Sequence, residues 1–159
     1  MRDNAEGLRH RGRWLNRLAL TIFVTLVLAL AIEAMMIIWK DEQGEAIWFW
    51  LAYRLSMPFY LSAIWTMHRA FARIANGELF DRVLPVSLSR LGFALAGGAI
   101  ASVFLSPWLM RILGGFRRGA FAAFDPPAIT IGLVGLLLVV LSSLFARAVA
   151  MRRELDDIL

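Results

Sequence analysis

The chain has 159 residues, 60% hydrophobic and 18% charged, with a formal net charge of +5 and a mean hydropathy of +0.67. A soluble domain usually has about a quarter of its residues charged; here the charges gather between apolar runs, and a bilayer core needs roughly 20 apolar residues per crossing, so little chain is left for a separate globular domain. The absence of cysteine excludes disulfides, thiolate metal sites and cysteine nucleophiles, and in a membrane chain the basic excess reads as loop anchoring rather than as a direct nucleic-acid surface.

A short tail, residues 1–17, carries Arg2, Arg9, Arg11, Arg13 and Arg17. The first apolar run predicts a transmembrane helix over about 18–39, with Glu33 its only charge. A basic region, an apolar run and Ala29-Leu30-Ala31 also resemble a secretory signal, but the apolar stretch continues through Ile38, longer than a usual signal core. The polar segment Lys40 to Glu45 then allows only a tight antiparallel hairpin. The second helix is expected over about 46–67; it contains Arg54 and Pro58 and is the most polar span, with Ser56, Tyr60 and Ser62 nearby. Pro58 removes one backbone hydrogen bond and predicts a kink.

Residues 68–90 form a loop in which Phe71, Ile74, Leu79 and Phe80 alternate with Arg and acids, and Asn76-Gly77 marks a turn. The third helix is expected over about 91–113. Its Ala94, Gly97, Gly98 and Ala101 let helix backbones approach closely. The connection Gly114 to Asp125 mixes glycine, arginine and Phe116, Phe121 and Phe124, which suits either the membrane interface or a flexible link. Asp125 followed by Pro126 marks the start of the fourth helix, about 126–149, since an acceptor at the N-cap precedes a proline at the first helical position. Gly132, Gly135, Ser142 and Ser143 give it packing faces, within the bundle or between copies in a homo-oligomer. The tail, 150–159, turns from basic (Arg152, Arg153) to acidic (Asp156, Asp157).

Orientation follows from charge. The N-terminal tail, the 68–90 loop with Arg69, Arg73, Arg82 and Arg90, and the C-terminal segment with Arg147, Arg152 and Arg153 hold most of the cations. The opposite side holds Lys40, Arg111, Arg117 and Arg118. The positive-inside rule then places both termini in the cytoplasm. Trp14 and Trp65 fall at the inner border, and Trp39, Trp48, Trp50 and Trp108 at the outer one, where indoles favour the headgroup zone.

Two ionisable residues lie inside apolar spans, where charge is costly and tends to be paired or functional: Glu33 and Arg54. At 1.5 Å per residue they sit about 9 and 12 Å below the outer ends of their helices, so a tight hairpin brings them to one level. They read either as a structural ion pair fixing hairpin register or as part of a proton or ion pathway. His10 and His68 have no ligand-like neighbours, so no metal site is expected. Phosphate loops, paired acids and nucleophile triads are also missing from the sequence, which argues against an enzyme and gives no reason to expect a cofactor.

Three segments carry a family resemblance: ANGELFDR (75–82), LSRLGFALAGGAI (88–100) and the run from Ala128 to the end. In these, and in their order and spacing, the chain resembles the bacterial domain-of-unknown-function 2975 family of small four-helix membrane proteins. The ending, Glu-Leu-Asp-Asp-Ile-Leu, departs from the Glu-Asn or Glu-Asp pair and short apolar end associated with that family. The resemblance implies fold and location, and an association with small helix-turn-helix regulators encoded nearby.

The expected fold is therefore all-α: a multi-pass bacterial inner-membrane protein with four transmembrane helices in an antiparallel bundle, N-in and C-in. The expected role is non-enzymatic, as a membrane partner that sequesters or signals to a cytoplasmic regulator, with Gly77, Phe80, Arg82, Arg152, Arg153, Asp156 and Asp157 as candidate docking residues. The alternatives are a small transporter or channel subunit built on Glu33 and Arg54, and an assembly factor for a larger membrane complex.

Overall fold

The structure is a computed structural model. It describes residues 2–40, 44, 46–76, 80–114 and 122–156, with the side chains of 2–13, 75, 80–82 and 153–156 outside the description. All regular structure among the described residues is helical. Helix α1 (Arg2–Lys40) is followed by α2 (Ala46–Tyr53), α3 (Met57–Ala75), α4 (Phe80–Ile100), a π-helical turn (Ala101–Leu105), α5 (Ser106–Leu113) and α6 (Pro126–Asp156). Among the described residues three stretches are long and apolar enough to cross a membrane: Trp14–Lys40, Val83–Leu113 and Pro126–Arg152.

The second expected span, 46–67, is not one helix. It is interrupted at Arg54–Ser56, between α2 and α3. Pro58 is the physical cause, since it has no N–H to give to the carbonyl of Arg54, four residues earlier. Met57 N–H takes that carbonyl instead at 2.9 Å, a tighter three-residue closure, while Arg54 N–H still reaches the Trp50 carbonyl at 2.9 Å. The helix then resumes and runs to Ala75, and α4 starts at Phe80 rather than near 91. Much of the segment expected as a loop is thus helical, with Asn76 closing α3. Residues 1–17, expected as a tail, are also helical from Arg2. At 39 residues α1 measures about 58 Å, well beyond the hydrocarbon thickness of about 30 Å. Apolar periodicity marks where a helix enters lipid, and the backbone can stay helical outside it.

Gly44, with φ of +73°, sits in the connection between α1 and α2. There the backbone takes a left-handed conformation that a side chain would strain.

The helices pack largely in chain order: α1 against α3, α3 against α4, and α4 against α6, with α2 lying on α5. The buried positions are small ones, among them Ala52, Ala63, Ala99, Ala101 and Ala128, and among the described residues no large side chain is fully enclosed. Large apolar side chains instead face outward along α1 and α6, including Met35, Trp39, Leu133 and Leu137. This is the distribution a lipid solvent produces, because lipid gives no hydrophobic drive between helices and close backbone approach carries the packing. The tightest approach joins α4 and α6. A Cβ built on Gly92 would meet the Gly135 carbonyl oxygen at 2.5 Å, and one on Gly135 would meet the Gly92 oxygen at 2.7 Å. Ser142 Oγ adds a hydrogen bond across the same pair, donating to the Pro85 carbonyl at 2.7 Å.

Candidate functional site

Three breaks in regular helix converge on one cavity of about 460 Å³. The first is the Arg54–Ser56 turn, which contributes Arg54 and Ser56, with Met57 and Tyr60 following on α3. The second is the π-helical turn. It ends where Ser106 N–H reaches the Ala101 carbonyl, five residues back. Pro107 has no N–H to serve Val103, four residues earlier, and the Val103 carbonyl instead accepts from Ala123 N–H of the following connection at 2.9 Å. The widened turn places Ser102 and Ser106 in the cavity wall. Single π-helical turns of this kind cluster at functional sites.

The third is the start of α6. Asp125 Oδ1 accepts from Ala128 N–H at 3.2 Å, a side-chain cap, and Oδ2 accepts from Ser102 Oγ at 3.3 Å. Asp125 therefore ties α6 to the π-helical turn while lining the same cavity. Irregular backbone at membrane depth is tolerated where it lines a cavity or is packed in protein. All three interruptions here obey that rule.

On the side of α1, Arg54 Nη2 donates to Glu33 Oε1 at 2.7 Å. The α1–α2 hairpin thus brings these two charges together. Arg54 also lies 5.3 Å from the centroid of the Tyr53 ring. Its Nε is buried and has no hydrogen-bond partner among the described residues. Glu33 faces a separate groove with Met36, Ile37 and Lys40, so Arg54 stands between that groove and the main cavity.

A second contact clamps α1 to α3 farther along. Phe23 meets Trp65 at 5.3 Å between ring centroids, His68 Nδ1 lies 3.2 Å from the Asn16 carbonyl oxygen, and Arg69 stacks 5.3 Å from the Trp65 centroid. Between α3 and α4 in this half lies a smaller space of about 140 Å³, walled mainly by Met67, Phe71, Ile74, Leu84 and Leu88.

Of the residues singled out from sequence, Glu33 and Arg54 meet, and Pro58 sits beside the break with its ring exposed. Gly77 and Asp157 lie outside the described residues. Phe80, Arg82, Arg153 and Asp156 are placed as helix backbone only, at the start of α4 and the end of α6. Arg152 is exposed near the end of α6 and makes an interaction of its own. No group of three or more metal-ligating side chains occurs among the described residues. Sequence reading missed Ser102 and Ser106, and saw Asp125 only as a cap. The available signal was two serines four apart followed by Pro107 inside an apolar run, which puts both hydroxyls on one helix face at a backbone defect.

The model for the family described as "Protein of unknown function (DUF2975)" matches residues 47–158. No curated protein and no solved structure matches the chain. The matched range takes in α2 from its second residue through α6 and every residue of the main cavity, while Glu33 and the rest of α1 lie before it. The chain therefore belongs to the DUF2975 family.

Proposed function

We propose that this is a non-enzymatic plasma-membrane protein of a bacterium that receives a small ligand in the main cavity and passes its occupancy to a cytoplasmic protein partner. In this reading the broken α2–α3 segment supplies a fourth crossing, both termini are cytoplasmic, and the cavity opens toward the outer leaflet. The observation that carries the proposal is the convergence of three irregular backbone segments on one cavity whose lining includes Arg54, Asp125 and Ser102. A ligand that contacts all three segments can shift how their helices pack, provided it binds one packing better than another. Helices α3 and α6 run from the cavity toward the cytoplasmic basic segments, so a change in their packing has a direct route across the bilayer. A helix-turn-helix regulator is the partner the family resemblance suggests.

The test has two arms. The native chain has no cysteine, so Ser102→Cys gives a single reporter. It should react with a charged, membrane-impermeant thiol reagent added outside intact cells; absence of labelling would rule out an outward-open cavity. Affinity purification of the full chain from solubilised membranes should recover a soluble regulator, and removing the segment beyond Arg147 should abolish recovery. Finding no cytoplasmic protein in either preparation would overturn the signalling half.

The Glu33–Arg54 pair favours a second reading, a small transporter or channel subunit. The apolar walls of the inner-half space between α3 and α4 weigh against a polar path there. Flux in proteoliposomes that is lost in Glu33→Gln and Arg54→Leu variants would establish transport in place of signalling.

A further inference from the structure

The chemistry of the cavity narrows what it takes. Two features concern its acceptors. The start of α6 offers no free donor to an anion: Pro126 and Pro127 have no N–H, Ala128 N–H is held by the Asp125 carboxylate, and Ile129 N–H is held by the Asp125 carbonyl at 3.0 Å. The Asp125 carboxylate has about four lone-pair sites, of which Ala128 and Ser102 occupy two. No cation among the described residues forms an ion pair with it. Asp125 thus retains acceptor capacity for a cationic group.

The third feature concerns a donor. Arg54 lines the same cavity, and Glu33 engages only one of its terminal nitrogens. A guanidinium carries five N–H donors in a planar fork and is well matched to a carboxylate or phosphate oxygen. The lining also includes the apolar side chains of Met57, Met110 and Ile131, and the volume lies within the roughly 300–1,000 Å³ of small-molecule sites.

We infer that the cavity binds a zwitterion, with its ammonium on Asp125 and its anionic oxygens on Arg54, and a short apolar portion against the methionines and Ile131. This rests on the ligand-receiving reading above and specifies the ligand. Two sources present that chemistry: a free amino acid with an apolar side chain, or the headgroup of phosphatidylethanolamine.

The experiment uses the full chain purified in mild detergent, with thermal unfolding and binding followed in parallel. The free probes are leucine, leucine amide (cation only) and N-acetyl-leucine (anion only). The lipid arm compares the chain's retention of phosphatidylethanolamine with that of phosphatidylglycerol. Stabilisation by leucine above both single-charge analogues supports the inference and identifies a free ligand. Preferential retention of phosphatidylethanolamine supports it and identifies a headgroup. Asp125→Asn keeps the cap acceptor, and Arg54→Lys keeps a charge for Glu33 while removing the planar fork of N–H donors. Each should weaken the preferred probe by at least about tenfold, as loss of one charge-assisted bond implies. If a single-charge analogue binds as well as leucine, or if neither source is preferred, the inference fails. Ser102→Cys labelling from outside in that case would leave the ligand-receiving reading standing.

Discussion

Arg54 takes part in two relationships at once. It donates to Glu33 across the α1–α2 hairpin and it forms part of the cavity wall. Removing one member of an intramembrane pair leaves a charge that lipid cannot solvate, whereas removing both leaves two apolar surfaces. Glu33→Gln and Arg54→Leu should therefore each lower the thermal unfolding midpoint in detergent, while the double variant should recover at least part of the loss. Additive losses would mean the pair is not coupled. The juxtaposition was legible in the sequence because two charges in neighbouring apolar runs and a six-residue connector leave few geometries. The Asp125–Ser102 contact was not. Its partners are 23 residues apart, across a connection whose path the sequence does not constrain.

Among the elements, prolines decide where regular structure stops. Pro58 was readable as a kink, and the structure shows the form it takes: a short closure onto the Arg54 carbonyl, with a full break between α2 and α3. Pro107 has the parallel effect on α4 and α5, but the π-helical turn depends on a donor from Ala123 that is remote in sequence. That explains why the third span read as uninterrupted. Helix boundaries were misread for a different reason: hydropathy reports the solvent around a helix, and α3 and α4 remain helical beyond the apolar stretch. At the α4–α6 crossing, small residues were legible as packing faces, though their partners were not. Gly135→Val should prove the more telling substitution there, since its Cβ meets backbone at 2.7–2.8 Å rather than a side chain that can rotate. A loss of about 1–3 kcal/mol is expected from overpacking of this kind, read from reversible unfolding in mixed micelles. Gly97→Ala should cost less, because the Phe59 ring it meets at 2.9 Å can shift.

For the whole molecule, the distribution of cations predicts a sidedness that single cysteines can test in this cysteine-free chain. Lys40→Cys and Phe124→Cys, both at exposed positions, should be labelled from outside intact cells; Asn76→Cys and Ala150→Cys, also exposed, should be labelled only after permeabilisation. The reverse pattern would invert the topology and place the cavity on the cytoplasmic side. The all-helical, membrane-spanning character was plain from composition alone, because hydropathy and length leave few other structures for such a chain. The row-like packing was not, since apolar helices of similar composition carry little information about which neighbour each prefers.

The Glu33–Arg54 contact also bears on biosynthesis. The chain emerges from the ribosome N-terminus first, so Glu33 reaches the insertion machinery 21 residues ahead of its counter-charge. A lone carboxylate is costly to a nascent apolar helix, and the short connection between α1 and α2 brings Arg54 close behind it. The two segments can then leave for the lipid together as a neutral hairpin, which makes the order of synthesis itself a means of getting both charges into the membrane.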